Sequence, residues 1–268
     1  MKIPTNPDPL RDYIGLAPLP LAFERVLEAK IFSALPFERP VLDVGCGEGL
    51  FAKVLFHEPV DTGIDPDPRE LKRAAELGAY HELIECWGHD IPKPDGAYRT
   101  IFSNSVLEHI PDVEPVLRES HRLLAPGGRM YVTVPSDRFE EYTAVNRVLA
   151  GVGLDGMSRR YRAFYNRFWR HYHCLSVDGW AELARRCGFE VADAYGYNPP
   201  GVCLLDDVLV PFALPGFVVK RLINRWTLVP SLRRVVLGPV ASAMTGTLER
   251  GTRSDEGGLV FLSLRKPA

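Results

Sequence analysis

The sequence predicts an α/β chain built on a doubly wound, mostly parallel sheet, and three observations carry that prediction. First, Val41 to Ala52, VLDVGCGEGLFA, is a short apolar run that passes through a glycine-dense turn into the apolar-periodic Leu50, Phe51, Val54 and Leu55, the pattern of strand, tight turn and helix. Second, Val60 to Asp65, VDTGID, is another short run, and it ends in a carboxylate 20 residues after Gly45. Third, short apolar strands keep alternating with helical patterns downstream, the order that produces parallel sheets.

Residues 1 to 20 are rich in proline and read as irregular. Ala22 to Leu35 then shows helical spacing through Phe23, Val26, Leu27, Ile31 and Leu35, so residues 1–38 form an N-terminal helical segment, with Tyr13 and Phe23 open to either ligand contact or packing. Glycines at 45, 47 and 49 let the backbone bend and a ligand approach where a Cβ would clash, and the helix that follows offers free N–H groups at its start. A dinucleotide fingerprint would place its third glycine at the sixth position, which here is Leu50. Asp65, followed by Pro66, stands where a strand-end carboxylate can accept hydrogen bonds from both hydroxyls of a ribose, while Asp67 can cap the next helix.

Glu82 to Trp87 reads as the third strand and Thr100 to Asn104 as the fourth, whose C-terminal edge, with Ser105, borders the ligand crevice. Val113 to Leu124 is helical, APGG is the turn that ends it, and Arg129 to Val134 alternates as the fifth strand. From 137 to 175 the chain departs from this rhythm: YRAFYNRFWRHYH interleaves rings with arginines, and no acid occurs between Gly156 and Val177. Rings and arginines could serve single-stranded nucleic acid, but a helical lid over a pocket suits the position better. Ser176 caps a helix over Val177 to Cys187, and FEVADAY supplies strand six. Between Val208 and Leu248 there is again no acid, while Lys220, Arg221, Arg225, Arg233 and Arg234 sit among apolar residues broken by proline and glycine. That segment suits an anionic lipid surface, a packed cap or a dimer face.

Composition narrows the function classes. The 268 residues suffice for one large domain, and 46% hydrophobic with 25% charged content is that of a globular chain. A formal net charge of −2 gives no long-range attraction to nucleic acid. The five cysteines are scattered without CxxC or ligand-like spacing to histidine, so no metal site and a reduced cytoplasmic setting are expected. MKIPTNPDPL lacks the apolar core of a signal peptide, and no run reaches the ~18 apolar residues of a spanning helix.

VLDVGCGEG resembles the first motif, hhDhGxGxG, of the class I S-adenosylmethionine-dependent methyltransferases; GHDIPKPDGAYRTIFSNSVLEHIPD is similar to the type 11 pattern of that family, and LAPGG to its LxPGG turn. The resemblance implies a Rossmann-like, seven-stranded sheet over residues 39–268, with a lid at about 137–175, an insertion at about 198–257, and GLVFLSLR as an antiparallel strand beside strand five. It implies S-adenosylmethionine as cofactor. By position, the amides of Gly45, Cys46 and Gly47 would serve its amino-acid end, Asp43 and the backbone near Asn104 and Ser105 its positive groups, and Asp65 with Pro66 its ribose. The acid that the family uses on the adenine falls at Trp87, so the base could meet the indole, the backbone of Gly88 or His89, or Asp90. Arg99 likewise stands where the family commonly has Asp.

The sulfonium is already activated, so rate acceleration should come from alignment and from excluding water. An oxygen acceptor also needs a base; the candidates are His171 and His173 on the lid, and His109 in LEHIPD, within a turn that closes the site. The expected reaction is methyl transfer to oxygen, nitrogen or carbon of a small-molecule or lipid-like acceptor, by a monomer or homodimer that is cytoplasmic or peripheral at a membrane through 208–248. A non-catalytic binding module of the same fold is the alternative. An RNA methyltransferase is disfavoured by the lack of an (N/D)PPY motif and of positive net charge.

Overall fold

In the computed structural model, which describes residues 2–6, 9–223, 226, 236, 239 and 252–268, the strands are β1 (Val41–Val44), β2 (Val60–Asp65), β3 (Tyr80–Glu85), β4 (Tyr98–Asn104), β5 (Leu124–Pro135), β6 (Glu190–Tyr197) and β7 (Leu259–Arg265). They form one seven-stranded sheet in the order β3-β2-β1-β4-β5-β7-β6, parallel from β3 to β5, with β7 antiparallel to both β5 and β6. Winding reverses at β1, because β2 lies on one side of it and β4 on the other. The carboxyl ends of β1 and β4 therefore splay their following loops apart and open a crevice.

The helices are α1 (Leu10–Leu16), α2 (Leu19–Ser33), α3 (Leu50–Leu55), α4 (Pro68–Leu77), α5 (Glu114–Leu123), α6 (Ala144–Gly151), α7 (Asp155–Trp169), α8 (Val177–Arg186), α9 (Pro200–Leu209) and α10 (Leu214–Ile223). Among the described residues none is long and apolar enough to cross a membrane. Every residue of β1 is buried, as expected of a central parallel strand covered on both faces. On one face α1, α2 and α3 pack with Phe102, Tyr131 and Phe261; on the other, α5 and α8 pack with Leu42, Ile101 and Val132. Phe32 centres the first core, with ring centroids 5.4 to 6.5 Å from Phe37, Phe51, Phe102, Tyr131 and Phe261. Such pairs each contribute about 0.5 to 1.5 kcal/mol beyond area burial.

Capping fixes the helix starts that frame the crevice. Asp67 accepts from the amide of Arg69 at 2.9 Å, and Gly78 closes α4 at φ 61°. Ser176 caps α8 by accepting from the Gly179 amide at 3.1 Å. Among the boundaries that differ from the sequence reading, three change an element. Residues 10–16 are helical rather than irregular, because Leu10, Tyr13, Ile14 and Ala17 keep a helical spacing beneath the proline-rich composition and all four are buried. The third strand begins at Tyr80, opposite Val60, and ends at Glu85, opposite Asp65, which leaves Trp87 beyond it. The APGG stretch is drawn into β5: Leu124 pairs with Tyr98, and the register slips before Thr100 meets Arg129.

Helices α6 and α7 fill the segment expected as a lid, and α9 and α10 begin the C-terminal insertion. Of the five basic residues between Val208 and Leu248, Arg225, Arg233 and Arg234 lie outside the described residues. Lys220 is not a free surface charge, since its Nζ lies 3.0 Å from Glu48 and 3.1 Å from Glu70 and ties α10 to the starts of α3 and α4.

Candidate active site

The turn after β1 has three left-handed glycines, Gly45, Gly47 and Gly49 at φ 78°, 51° and 76°. A Cβ on Gly45 would run into Val106, and one on Gly49 would come within 3.0 Å of the Tyr80 ring. On Gly47 it would meet nothing within 4 Å, so this glycine faces open space. The amides behave differently from the expectation that they reach a ligand. Those of Gly45 and Cys46 both donate to the carbonyl of Ile64, at 3.0 and 2.9 Å, and that of Gly47 donates to Asp65 Oδ2 at 3.0 Å. They are spent on tying the turn to β2, and the expected contact of these amides with an amino-acid carboxylate is corrected accordingly.

Asp65 is oriented rather than exhausted. Its Oδ2 accepts from Gly47 and its Oδ1 from the Asp67 amide at 2.9 Å, leaving each oxygen one further lone pair. Burial raises its pKa, opposed by those two amides. Asp43, on β1, is buried, and burial pushes its carboxyl up to about 7 against a 2.6 Å hydrogen bond from the Tyr80 hydroxyl, with Asp65 adding to the rise. Gly63 makes this contact possible, because a Cβ there would stand 2.8 Å from the Tyr80 ring. Between the two acids, burial pushes the Cys46 thiol far up, so it is inert as a nucleophile.

On the far side of the crevice, Trp87 is 65% exposed and stacked on His89 at 6.4 Å, in a turn closed by the Asp90 amide on the Trp87 carbonyl. Gly88 packs toward Val116 and Val44, while His89 and Asp90 face solvent. The indole is thus not a core residue.

At the end of β4, Asn104 and Ser105 serve a buried ion pair that sequence reasoning missed. Glu28 of α2 is fully buried and accepts from Arg25 at 2.6 Å, Ser105 Oγ at 2.8 Å, Asn104 Nδ2 at 2.9 Å and the Tyr197 hydroxyl at 3.1 Å. Arg25 also donates to Ser105 Oγ at 2.7 Å, and Ser105 holds a left-handed φ of 52°. The available signal was an acid on the core-facing side of α2, beside Val26, Leu27 and Ile31.

Ser105 and Arg25 also line a cavity of about 290 Å³, walled by Phe139, by Tyr165 and Trp169 of α7, and by α9. Of the candidate histidines the structure brings two together. His109 and His171 line this cavity with ring centroids 5.3 Å apart, whereas His173 donates from Nε2 to the Pro111 carbonyl at 3.1 Å, packs edge-on to Trp180 and does not line the cavity. His173 is therefore withdrawn as a proton acceptor. Burial lowers both remaining histidines, His171 to about 4 with further help from His109, so His171 is neutral but a weak base. Glu108, the acid of LEHIPD, lines the cavity as well, and burial pushes it up to about 8.

The residues present fit S-adenosylmethionine. An oriented carboxylate with spare lone pairs suits a diol, acids at 43 and 65 suit a cationic ligand, and open space at Gly47 admits it.

Comparison with known proteins agrees. Residues 21–194 match a family model described as a methyltransferase domain. An uncharacterized methyltransferase of Mycobacterium sp. (strain JLS) is 34% identical over 122 residues, which is 45% of this chain and 48% of that one. A ubiquinone biosynthesis O-methyltransferase of Pseudomonas aeruginosa (strain UCBPP-PA14) is 26% identical over 172 residues, covering 60% of this chain and 69% of that one. The chain spans about half the length of the first curated relatives it matches. Among solved structures, a SAM-dependent methyltransferase from Thermotoga maritima shares the fold with a TM-score of 0.56 at 16% identity, over 92% of this chain and 91% of that one. Phosphoethanolamine N-methyltransferase 2 of Haemonchus contortus, in complex with S-adenosyl-L-methionine, does so with a TM-score of 0.53 at 17% identity, over 91% of this chain and 52% of that one.

Proposed function

We infer that this chain, which belongs to the class I S-adenosylmethionine-dependent methyltransferase family, transfers a methyl group to a small-molecule acceptor held in the cavity between α2, the lid and α9. The observation that carries the reading is the double use of Ser105 and Arg25, which close the C-terminal end of β4 and also line the cavity. An acceptor there lies beside the crevice where the cofactor belongs.

In this reading Asp65 receives the ribose hydroxyls on its spare lone pairs, Gly47 leaves room for the ligand, and Asp43, poised by Tyr80, offsets positive charge. When bound, S-adenosylmethionine supplies an activated methyl group on sulfur. The chain's own work is positioning and drying: Phe139, Tyr165 and Trp169 shield the cavity, and Glu28 locks Arg25 and Ser105 in place. For an oxygen acceptor, His109 or the Glu108 carboxylate is the proton acceptor at hand.

The first test is calorimetry with S-adenosylhomocysteine. Asp65→Ala should weaken binding by about 1.5 to 3 kcal/mol, the range for a hydrogen bond to a charged group, and unchanged affinity would refute the ribose assignment. Transfer of labelled methyl to hydroxyl and amine acceptors then separates an enzyme from a binding module.

A second element concerns the insertion. Val208, Val218, Leu222 and Val236 are 50% to 76% exposed, and Arg221 is exposed with them, which favours a peripheral contact with anionic lipid.

A further inference from the structure

The cavity beside Ser105 has a polar lining that neither the cofactor nor the aromatic walls explain. Three acids enter it from three elements: Glu24 from α2, Glu108 from the turn after β4, and Asp206 from α9. Each is raised above the usual carboxyl range, first by burial; Glu24, at about 7, in turn raises Asp206 and Glu108, so the three share one region of space. Asp207 also lines the cavity but is engaged by the Ala144 amide at 2.8 Å. The nearby cation, Arg25, is held by Glu28 and lies 3.8 Å from Glu24.

A second observation points to a ligand. Among the described residues Glu108 Oε2, Asp206 Oδ1 and Asn198 Oδ1 have no hydrogen-bond partner, although Glu108 is only 3% exposed, Asp206 9% and Asn198 1%. Buried oxygens of this kind cost free energy unless a donor reaches them. All three residues line the same cavity; Asn198 Oδ1 is an acceptor, and the two carboxyl oxygens are acceptors once a cation lets their groups ionise.

We propose that the methyl acceptor is a small amine with an apolar or aromatic body, whose ammonium group is received by Glu108, Asp206 and Glu24 with the Asn198 carbonyl oxygen. The proposal rests on the methyltransferase reading and narrows its acceptor. An ammonium offers several N–H donors to orphaned acceptors and a positive charge to acids that are otherwise kept neutral by burial. Tyr165 and Trp169 give the remainder of the molecule, and the charge itself, aromatic faces. The same carboxylates complete the proton balance. A proton passes from R–NH3+ to a carboxylate, giving R–NH2 and a carboxylic acid, and the freed lone pair then takes the methyl group, an N–C bond forming as the sulfonium S–C bond breaks to leave R–NH2–CH3+ and a neutral thioether. That step needs no basic histidine, which accords with His171 being held at about 4.

The test uses the full chain saturated with S-adenosylhomocysteine and calorimetric titration of 2-phenylethylamine, tyramine and butylamine, each against the alcohol that carries hydroxyl in place of the amine. At least one amine should bind at least about tenfold more tightly than its matched alcohol, the difference expected of charge-assisted hydrogen bonds. Glu108→Gln and Asp206→Asn should each reduce that ratio while leaving S-adenosylhomocysteine affinity unchanged. Alcohols that bind as well as their amines, no binding by any amine, or a preference that survives both substitutions would overturn the proposal. The wild-type ratio decides even where a variant fails to fold. Failure of S-adenosylhomocysteine to bind would instead overturn the cofactor reading.

Discussion

Gly47→Ala isolates the crevice from the fold, because the structure supplies its own control. Gly47 and Gly78 both hold left-handed backbone, at φ 51° and 61°, and a Cβ on either would meet nothing within 4 Å. Alanine at each position should therefore cost the same conformational strain, about 1 to 2 kcal/mol. For a chain of this size that lowers the melting temperature by about 2 to 8 °C. The two positions differ in what the added methyl faces: Gly78 closes α4, whereas Gly47 lies in the turn between β1 and α3, with its amide on Asp65. A methyl group forced against a fitted ligand costs about 1 to 3 kcal/mol. Titration with S-adenosylhomocysteine should then show a loss of about 5- to 150-fold for Gly47→Ala and none for Gly78→Ala, with equal melting shifts. Full affinity in Gly47→Ala would refute the claim that the turn cradles the cofactor. Equal loss in both variants would reduce the effect to general destabilisation.

Two further outcomes follow from the electrostatics and the exposed surface. Glu108 has a folded-state pKa of about 8 against an ordinary 4.5, so the folded protein keeps a proton that the unfolded chain loses as pH rises through 4.5. Stability should accordingly fall between pH 4.5 and 8, by up to about 5 kcal/mol from this group, and Glu108→Gln should flatten the slope of melting temperature against pH; an identical slope in the variant would assign the dependence to other groups. Flotation with anionic vesicles should show weak binding that salt suppresses and that Val218→Asp with Leu222→Asp abolishes, since each basic residue near such a surface contributes only about 1 kcal/mol. Lys220 does not count toward that sum because Glu48 and Glu70 hold it. No flotation would leave the exposed apolar residues without a lipid role.

The parts of the site that the sequence made legible are those in which one short stretch determines the geometry. VDTGID is β2 from Val60 to Asp65 as read, Asp67 and Ser176 cap the helices they precede, and GLVFLSLR pairs antiparallel with β5. The acid cavity was not legible, because it joins residues that the chain order keeps far apart. Arg25 meets Ser105 across 80 positions, Tyr80 meets Asp43 across 37, and the cavity brings Glu24, Glu108 and Asp206 together from three elements. The glycine spacing located the tight turn between β1 and α3 but did not say which carbonyl would collect its amides; that depends on how far β2 reaches past β1, and Ile64 takes two of them. His171 and His173 looked equivalent for a similar reason. The segment that carries them is neither helix nor strand, so no periodicity relates their directions, and only the fold sends one to the cavity and the other to Pro111.

A crystal structure of the full chain with S-adenosylhomocysteine tests the central claim most directly. The account predicts both ribose hydroxyls within hydrogen-bond distance of Asp65, the ligand passing Gly47, and the sulfur turned toward Ser105 and the cavity that contains Glu108 and Asp206. A nucleoside seated away from Asp65, or a sulfur directed away from that cavity, would contradict it.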